Sequence, residues 1–385
     1  MLGNTGMDIA TADFSLPSGP SVEFGMGAVR RIPERLADAR RVFVVTDPGL
    51  RAAGVLDRVL EPLTEHGIAV RVFDEVPANP TTEIVETAAT RAAEFAVGQP
   101  TAVLAVGGGS SVDAAKGIAL LAANPGARAD GSGVASAAPG LPLLAVPTTA
   151  GTGAETNGFG VLEDRSGRRK VYCGAESVLP RVAILDPELT VGLPAAATAA
   201  TGVDALVHGV ESLTSRGRNP VSELYATRAV ELAAEWLPRA VADGSDRAAR
   251  ANMLLAAHLA GLALTRSGLG LVHGLAHAIS LHCGAVHGLA LSAVLAETVA
   301  FSLAADEPGY ARVASAVGAR DAYALPDVLD DLVDRVGVRR TVAELGCADA
   351  QRESLVATAL ADPVSANAPR SASAAELHGL LDRCW

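Results

Sequence analysis

A histidine-rich segment between residues 200 and 289 constrains the fold of this chain more than any other feature. The chain has 385 residues and eight histidines, and six of those histidines lie in this segment. Asp204 precedes His208 by four residues, and the same interval separates His273 from His277. Residues four apart lie on one face of a helix, so each pair directs two polar groups toward one point. The neighbouring residues are mostly apolar, and burial of these groups without a partner would be unfavourable.

A divalent metal ion is the partner that this set of side chains predicts. Three neutral imidazoles and one carboxylate are a suitable ligand set for zinc or ferrous iron. The alternative is that these residues are helix caps and hydrogen-bonded core histidines, which is the commoner role for any one histidine taken alone. The combination of Asp-x-x-x-His, His-x-x-x-His and a further histidine ten residues later, His287, favours the metal.

Composition limits the classes of partner. Hydrophobic residues make up 49% of the chain and charged residues 19%, which is typical of a globular protein large enough for two domains. The formal net charge is −12, which argues against nucleic acid and anionic membranes because both require a basic surface. Aromatic residues, at 3%, are too few to favour a base-stacking surface. Composition therefore favours a small-molecule partner over nucleic acid or a membrane.

The cysteines and the chain's first residues predict a cytoplasmic protein. No two cysteines form a C-x-x-C motif, so we expect four reduced thiols rather than a disulfide framework. The cysteines are Cys173, Cys283, Cys347 and Cys384. The chain does not begin with a basic segment followed by an apolar one, so no signal peptide is expected. No apolar run is both long enough and free enough of charge to span a bilayer.

The pattern of secondary structure changes near Pro194. Before it, short β-branched apolar runs alternate with segments of helical period, which predicts a doubly wound α/β domain. After it, alanine- and leucine-rich segments of helical period follow one another. We therefore predict an α/β domain over residues 1–189 and an all-helical domain over residues 190–385. The metal-binding residues lie in the second domain, and we expect them to face a cleft between the two, where ligands commonly bind.

Three loops that follow strands in the first domain predict a dinucleotide site. Gly107–Ser110 lies between a strand and a helix, where bare backbone and free N–H groups suit a phosphate. Asp47 follows an earlier strand, where a carboxylate can bind a ribose diol and repel a 2′-phosphate, which favours NAD over NADP. Residues 147–155 form a loop of small and hydroxyl-bearing residues suited to a pyrophosphate or a nicotinamide amide. Each loop also has a simpler interpretation. Gly107–Ser110 could be a tight strand-to-helix turn, Asp47 could be part of an ordinary Asp-Pro-Gly turn, and residues 147–155 could be a flexible loop.

These motifs together resemble the iron-containing (group III) alcohol dehydrogenases, which are relatives of glycerol dehydrogenase and, more distantly, of dehydroquinate synthase. The resemblance extends over nearly the whole chain and implies the dehydroquinate synthase-like two-domain fold. The matching segments are Gly107–Ser110 with Asp113 and Lys116, Pro147–Glu155, Ala200–His208, Gly268–His277, His287–Gly288 and Asn367–Arg370.

The resemblance implies a role for each matching residue. The implied metal ligands are Asp204, His208, His273 and His287, with Fe²⁺ or Zn²⁺ as the metal. His277 is implied to relay protons without binding the metal, and Phe159 to line the substrate pocket. The implied cofactor-binding residues are Asp47, Gly107, Gly108, Gly109, Ser110, Thr148, Thr149, Thr152 and Lys170.

The chain departs from the family pattern beside these residues. Ala278 replaces a usual proline, and Ala285 and Val286 stand where Thr-Pro is usual. The ligand spacing is kept, so the departures affect the expected wall of the substrate site. A dimer is the family's usual minimum assembly, so we expect a homodimer or a higher homo-oligomer.

The resulting hypothesis is a metal-dependent, NAD(H)-linked alcohol dehydrogenase or aldehyde reductase, which transfers hydride between a metal-bound alcohol or aldehyde and the nicotinamide. One alternative is a non-redox lyase of the dehydroquinate synthase type, which also uses NAD and a metal. That enzyme class would require a basic cluster for a phosphate-bearing substrate, and the sequence shows no such cluster. The other alternative is a maleylacetate reductase-like enzyme without a metal, which conflicts with four intact metal-binding residues.

Overall fold

The computed structural model describes residues 19–134, 137–165 and 169–385. Within them the chain divides into two compact units. The α/β unit contains residues 19–149 and Ala154–Gly192, and the helical unit contains Ala150–Gly153 and Leu193–Trp385. The predicted fold class, an α/β part followed by an all-helical part, is confirmed.

Six parallel strands form the sheet of the α/β unit, in the spatial order β1-β8-β5-β4-β2-β3. The strands of this sheet are β1 (Ser21–Phe24), β2 (Arg41–Val45), β3 (Ala69–Phe73), β4 (Thr101–Gly107), β5 (Leu143–Pro147) and β8 (Val182–Leu185). Every residue of β4 and β5 is buried, as expected of central parallel strands covered on both faces. A separate antiparallel hairpin consists of β6 (Phe159–Asp164) and β7 (Arg169–Gly174). The turn predicted for this hairpin lies largely outside the described residues.

The helices of this unit complete the predicted doubly wound arrangement. They are α1 (Ile32–Arg35), α2 (Pro48–Ala52), α3 (Val55–Glu65), α4 (Thr82–Ala96) and α5 (Gly109–Ala123). After β2 the chain adds β3 on one side, and then returns to place β4 on the other side of β2. The strand order therefore reverses between β2 and β4, and ligands of such sheets bind beyond the carboxyl ends of the strands at this point. Asp47 follows β2, and Gly107–Ser110 begins at the last residue of β4.

The helical unit is built from nine α-helices of the described chain. They are α6 (Ala195–Thr214), α7 (Pro220–Ala242), α8 (Arg247–Ser267), α9 (Leu271–Cys283), α10 (His287–Ser302), α11 (Glu307–Val317), α12 (Leu325–Arg335), α13 (Arg352–Ala361) and α14 (Ala374–Cys384). Small alanine side chains and larger leucine and valine side chains from all of these helices share one hydrophobic core. Of the 20 residues of α6, the 13 from Gly202 to Thr214 are all buried, which makes it the central helix of the unit.

One helical stretch, His287–Ala305, is long and apolar enough by composition to cross a membrane. The expectation that no run is long enough and free enough of charge is therefore wrong for this stretch, which contains the single charged residue Glu297. In the structure Leu291, Val294 and Leu295 are buried in the core of the helical unit. The length and composition of this stretch are equally those of a central helix in a protein core, and its packing accounts for them without a membrane.

The prediction of four reduced thiols is wrong for two cysteines. Cys283, the last residue of α9, forms a disulfide with Cys347, and their Cα atoms are 5.2 Å apart. The two residues are 64 positions apart in the sequence, so spacing alone does not reveal that the fold brings them together. Cys173 and Cys384 are free and buried.

Thiol counting should reproduce this pairing. Burial raises the pKa of Cys173 to about 11 and that of Cys384 to about 12, so both remain protonated and unreactive in mildly alkaline buffer. The native protein should therefore show no reactive thiol. Unfolding without a reductant should expose two thiols, and unfolding after reduction should expose four. Four thiols in the unfolded, unreduced protein would contradict the disulfide.

Candidate functional site

Helices α6, α9 and α10 bring the four predicted metal-binding residues together. Asp204 and His208 lie on one face of α6, and His208 Nε2 is 3.3 Å from Asp204 Oδ1. His273, in the first turn of α9, places its Nε2 3.5 Å from the same oxygen. His287, the first residue of α10, places its Nε2 3.6 Å from it. A single carboxylate oxygen is therefore approached by three imidazole nitrogens, and helical spacing predicted the Asp204–His208 part of this arrangement.

Two buried atoms at the centre of this group, Asp204 Oδ1 and His273 Nε2, have no hydrogen-bond partner, and His208 Nε2 lies 3.3 Å from the first of them. The three residues are only 4%, 5% and 1% exposed, and buried polar atoms are normally paired. One ligand atom from each of them lies within 4.8 Å of the other two. One carboxylate with several imidazoles is a donor set that zinc and ferrous iron favour. The residues present therefore fit a divalent cation.

The two fully buried histidines have opposite shifts in pKa. Burial lowers the pKa of His208 to about 4, although the nearby Asp204 carboxylate opposes the shift. Burial also disfavours the charged form of His273, but the carboxylates of Glu211 and Asp204 outweigh it and raise the pKa to about 9. The pKa of Asp204 is held below its usual range, because the histidines around it outweigh its burial. The two carboxylates therefore favour the charged form of His273 over that of His208.

His277, the predicted proton relay, lies at the edge of this cluster. Its side chain is 28% exposed, and its Nδ1 donates to Asp362 Oδ2 at 2.7 Å. Its ring stacks on that of His287, with centroids 5.4 Å apart. Although Asp362 is partly buried, its hydrogen bond to His277 lowers the pKa of this carboxyl group. The contact between Asp362 and His277 was not predictable from the sequence, because the two residues are 85 positions apart. Asp362 lies just before the Asn367–Arg370 motif.

The Asn367–Arg370 motif also acts on this region. Asn367 Nδ2 donates to the backbone oxygens of Ser267 and Leu269, at 2.9 and 2.7 Å. Its Oδ1 accepts from the backbone N–H of Gly217 at 3.0 Å. One amide therefore holds the turn between α8 and α9 and the chain segment that follows α6. This gives the motif a physical role, which is to fix the start of the helix that contains His273.

The predicted dinucleotide-binding residues of the α/β unit lie at the switch point of its sheet. Asp47 Oδ1 accepts from the backbone N–H of Leu50 at 3.1 Å and caps α2. A Cβ atom at Gly107 would lie 3.4 Å from Asp47 Oδ2 and 2.5 Å from Ser111 Oγ, and Gly107 has a φ of +150°. Only glycine therefore fits at Gly107, and the ends of β2 and β4 are in close contact there.

The start of α5 offers backbone donors beside the same edge. Its N-cap residue, Gly108, provides no side-chain hydrogen bond, so the first N–H groups of the helix have no side-chain acceptor from that position. A Cβ atom at Gly108 would lie 3.2 Å from Thr149 Oγ1. Gly109, Ser110, Thr148 and Thr149 are thus grouped at the ends of the adjacent strands β4 and β5. This arrangement suits a phosphate at a helix N-terminus.

Thr152, another predicted cofactor-binding residue, belongs to the segment Ala150–Gly153, which is part of the helical unit. A Cβ atom at Gly151 would lie 2.8 Å from Thr201 Cβ in α6. One at Gly153, where φ is +60°, would lie 2.5 Å from the backbone of Gly261 in α8. The small residues of this loop are therefore required by close backbone packing in the helical unit.

Both lysines of the chain hold the β6–β7 hairpin. The ammonium group of Lys116 is fully buried and donates to Asp113 at 3.1 Å, to Asn157 at 2.8 Å and to the backbone oxygen of Phe159 at 2.7 Å. Burial lowers the pKa of Lys116 and raises that of Asp113. Phe159, predicted in the substrate pocket, is 39% exposed at the start of β6. The structure thus assigns Lys116 to fixing the strand that presents Phe159.

Lys170, which the resemblance assigns to the cofactor, makes two local contacts in the structure. Its Nζ donates to Glu163 across the hairpin at 3.0 Å and to Asn79 at 3.1 Å. Both partners belong to the α/β unit, and the lysine side chain is 25% exposed. Contact with a cofactor remains a prediction for Lys170.

Known proteins match both halves of this chain. Residues 19–187 match the iron-containing alcohol dehydrogenase family, and residues 198–385 match the C-terminal part of the Fe-containing alcohol dehydrogenase family. The NAD-dependent methanol dehydrogenase of Bacillus methanolicus is 34% identical over 381 residues, covering 96% of this chain and 98% of the relative.

Solved structures agree over almost the whole length. A 1,3-propanediol oxidoreductase superposes with a TM-score of 0.88 at 31% identity, covering 97% of this chain and 100% of the other. A sulfoacetaldehyde reductase from Bifidobacterium kashiwanohense, solved in complex with NAD⁺, superposes with a TM-score of 0.84 at 28% identity. The match covers 97% of this chain and 98% of the reductase.

Fold, site and relatives together define an oxidoreductase that acts on CH–OH groups. More specifically, the chain belongs to the iron-containing alcohol dehydrogenase family. The family resemblance inferred from the sequence motifs is confirmed.

Added zinc should stabilise the wild-type protein through this site. A ligand that binds only the folded state at about 100 times its Kd contributes about 2.7 kcal/mol, which raises the thermal midpoint. Asp204→Asn should remove most of this increase, because the amide keeps the side-chain shape but loses the central charge. His378→Ala, which removes an exposed histidine paired with Glu353, should leave the increase unchanged. An equal increase in wild type and Asp204→Asn would contradict the site.

Proposed function

We propose that this chain is a metal-dependent, NAD(H)-linked alcohol dehydrogenase or aldehyde reductase. The observation that supports it most directly is the convergence of Asp204 Oδ1 and His273 Nε2, two buried atoms without a hydrogen-bond partner, with His208 Nε2 in the helical unit. A cluster of this kind is unfavourable without a cation and favourable with one. Family membership supports the reaction class, and the geometry supports the metal.

Asp204, His208, His273 and His287 would hold the cation. A divalent cation in this position supplies Lewis acidity, which polarises an alcohol or aldehyde oxygen and stabilises negative charge on it. Fe²⁺ and Zn²⁺ both suit these ligands, and we propose iron first because of the family. The first three residues are rigidly placed by helix packing, whereas the more exposed His287 side chain stands on the accessible side of the cluster.

His277 would move the proton that the reaction exchanges with solvent. Its Nδ1–H is donated to Asp362, so its Nε2 is the atom that can accept or release a proton. The ring is partly exposed and stacks on His287, so it is both near the proposed metal ligands and accessible to water. This combination is what a general acid or base requires.

The carboxyl ends of strands β2, β4 and β5 in the α/β unit would hold the dinucleotide, which supplies or accepts the hydride when bound. Gly107, Gly108, Gly109 and Ser110 would accommodate the pyrophosphate at the start of α5, and Thr148 and Thr149 would hydrogen bond the cofactor. Asp47 would bind the ribose diol and disfavour a 2′-phosphate, so we propose NAD rather than NADP. The NAD⁺ complex of the sulfoacetaldehyde reductase and the name of the methanol dehydrogenase support the same choice.

The substrate we propose is a small alcohol or its aldehyde. Relatives named for methanol, 1,3-propanediol and sulfoacetaldehyde share the fold, so the fold alone does not select among them. Phe159 is our candidate for the pocket wall, with Ala278 and Ala285–Val286 as the positions where this chain differs from the usual pattern. An NADH-consumption screen over aldehydes of increasing size and charge addresses the choice directly.

We propose further copies of the chain, as a homodimer or a higher homo-oligomer, as its protein partner, and neither nucleic acid nor a membrane. The net charge of −12 supports the exclusion of these anionic surfaces. We also propose a cytoplasmic location. The Cys283–Cys347 disulfide would then be an exception to the rule that disulfides are rare in reducing compartments.

Replacing His273 with alanine should remove bound metal and activity together, because its Nε2 faces the centre of the cluster. His282→Ala is the matched control, since His282 lies on the same helix and forms its hydrogen bond with Thr358 instead. Elemental analysis and net NADH formation from an alcohol give the two readouts. Full turnover by a metal-free His273→Ala protein would refute the assignment, and absence of net NADH in the wild type would favour a non-redox reaction.

Replacing Asp47 with glycine should relax the cofactor preference. Glycine is an acceptable N-cap residue, so the variant removes the carboxylate at little cost to α2. We expect the ratio of kcat/KM for NADP⁺ to that for NAD⁺ to rise by about tenfold, or about 1.4 kcal/mol. Asp47→Asn, which keeps the cap and loses the charge, should shift the ratio in the same direction. Unchanged ratios in both variants would remove Asp47 from this role.

A further inference from the structure

Glu211 is a buried carboxylate that the proposed reaction does not use. It is 4% exposed and lies in α6, seven residues after Asp204 and three after His208, so all three side chains lie on one helix face. Its Oε2 accepts from His273 Nδ1 at 2.5 Å. Its Oε1 accepts from the backbone N–H of Val272 at 2.7 Å. Each carboxylate oxygen is therefore occupied by a different donor from the start of α9.

The start of α9 depends on this carboxylate. The N-cap residue of α9 is Gly270, which has no side chain to accept from the first N–H groups of the helix. Glu211 supplies that acceptor from the neighbouring helix, and its negative charge is favourable at a helix N-terminus. A Cβ atom at Gly270 would lie 2.9 Å from Glu211 Oε1, so the absence of a side chain makes room for the carboxylate.

The same carboxylate fixes the ring of His273. With Nδ1–H donated to Glu211, the opposite nitrogen, Nε2, points toward Asp204 Oδ1 at 3.5 Å. The ring of His273 also stacks on that of His208, with centroids 4.7 Å apart and planes within 11°. The imidazole is thus held on one edge by a charge-assisted hydrogen bond and on one face by another candidate ligand. Little freedom remains for it to rotate away from the proposed cation.

We propose that Glu211 is a positioning residue of the metal centre, which fixes the ring and tautomer of His273 so that Nε2 faces the cation. The inference rests on the metal site of the proposed function. Carboxylates that accept from the remote nitrogen of a ligand histidine strengthen metal binding, and their loss typically lowers affinity by about 10- to 100-fold. Glu211 differs from an ordinary cap because one of its oxygens is committed to the ligand and the other to the helix.

Glu211→Gln tests this division of roles. The amide keeps the size of the side chain but offers one oxygen acceptor and one NH₂ donor to two converging N–H donors, so one of the two contacts is lost. We expect zinc affinity, measured by chelator competition on the full-length protein, to fall by about 10- to 100-fold. Asp362→Asn is the matched control, because Asp362 pairs in the same way with His277, which is outside the ligand set, and this variant should keep wild-type zinc affinity.

Thermal melting of the metal-free proteins separates positioning from capping. If Glu211→Gln melts at a lower temperature but binds zinc with wild-type affinity, Glu211 is a helix cap only and the inference is wrong. If Glu211→Gln does not fold, Gly270→Ala is the second variant, because its methyl group would displace the Glu211 carboxylate. Gly270→Ala should also lower zinc affinity, and an unchanged zinc affinity in this variant would overturn the inference. If the wild-type protein itself binds neither zinc nor iron, both the proposed function and the inference about Glu211 are wrong.

Discussion

The structure of the helical unit depends on the electrostatics of one buried group of side chains. Asp204, His208 and His273 are almost inaccessible to water, yet Asp204 Oδ1 and His273 Nε2 have no hydrogen-bond partner, and His208 Nε2 faces the same carboxylate oxygen. Leaving a buried polar group unsatisfied costs about 1–3 kcal/mol, and more for a charged group. A single cation removes these costs at once. The alanine-rich packing around α6 allows the helices to approach closely enough for this to occur.

The supporting contacts extend outward from that group. Glu211 holds His273 from behind, Asp362 holds His277, and Asn367 fixes the turn that leads into α9. Each support comes from a helix or segment other than the one that contains the histidine it serves. The position of each histidine is therefore set by tertiary packing, and the α8–α9 turn and the chain's last segments matter as much as the histidines themselves.

Helical spacing was enough to predict that Asp204 and His208 meet, because they are four residues apart within one helix and the apolar surroundings required a partner. The full ligand set, with His273 and His287, came from the family resemblance. The doubly wound sheet was also predictable from a local pattern, because buried parallel strands have short runs of β-branched apolar residues. Glu211 lies three residues after His208, so helical spacing also places it on the same face of α6. Its role was not predictable, because a glutamate in a helix is ordinarily exposed to solvent.

Contacts between distant segments were not predictable from the sequence. The Cys283–Cys347 disulfide and the His277–Asp362 pair join residues 64 and 85 positions apart, and no periodicity links them. The lysines illustrate the same limit. Lys116 and Lys170 are the only lysines in the sequence, but only the fold shows that the first has three oxygen acceptors within the α/β unit.

Anomalous X-ray scattering from crystals, recorded on either side of the iron and zinc absorption edges, tests the central claim most directly. The account predicts one strong peak per chain, in contact with Asp204, His208, His273 and His287, that appears above one of these edges and weakens below it. Crystals of the active enzyme with no anomalous peak among these four side chains, or with the metal bound elsewhere in the chain, would contradict it.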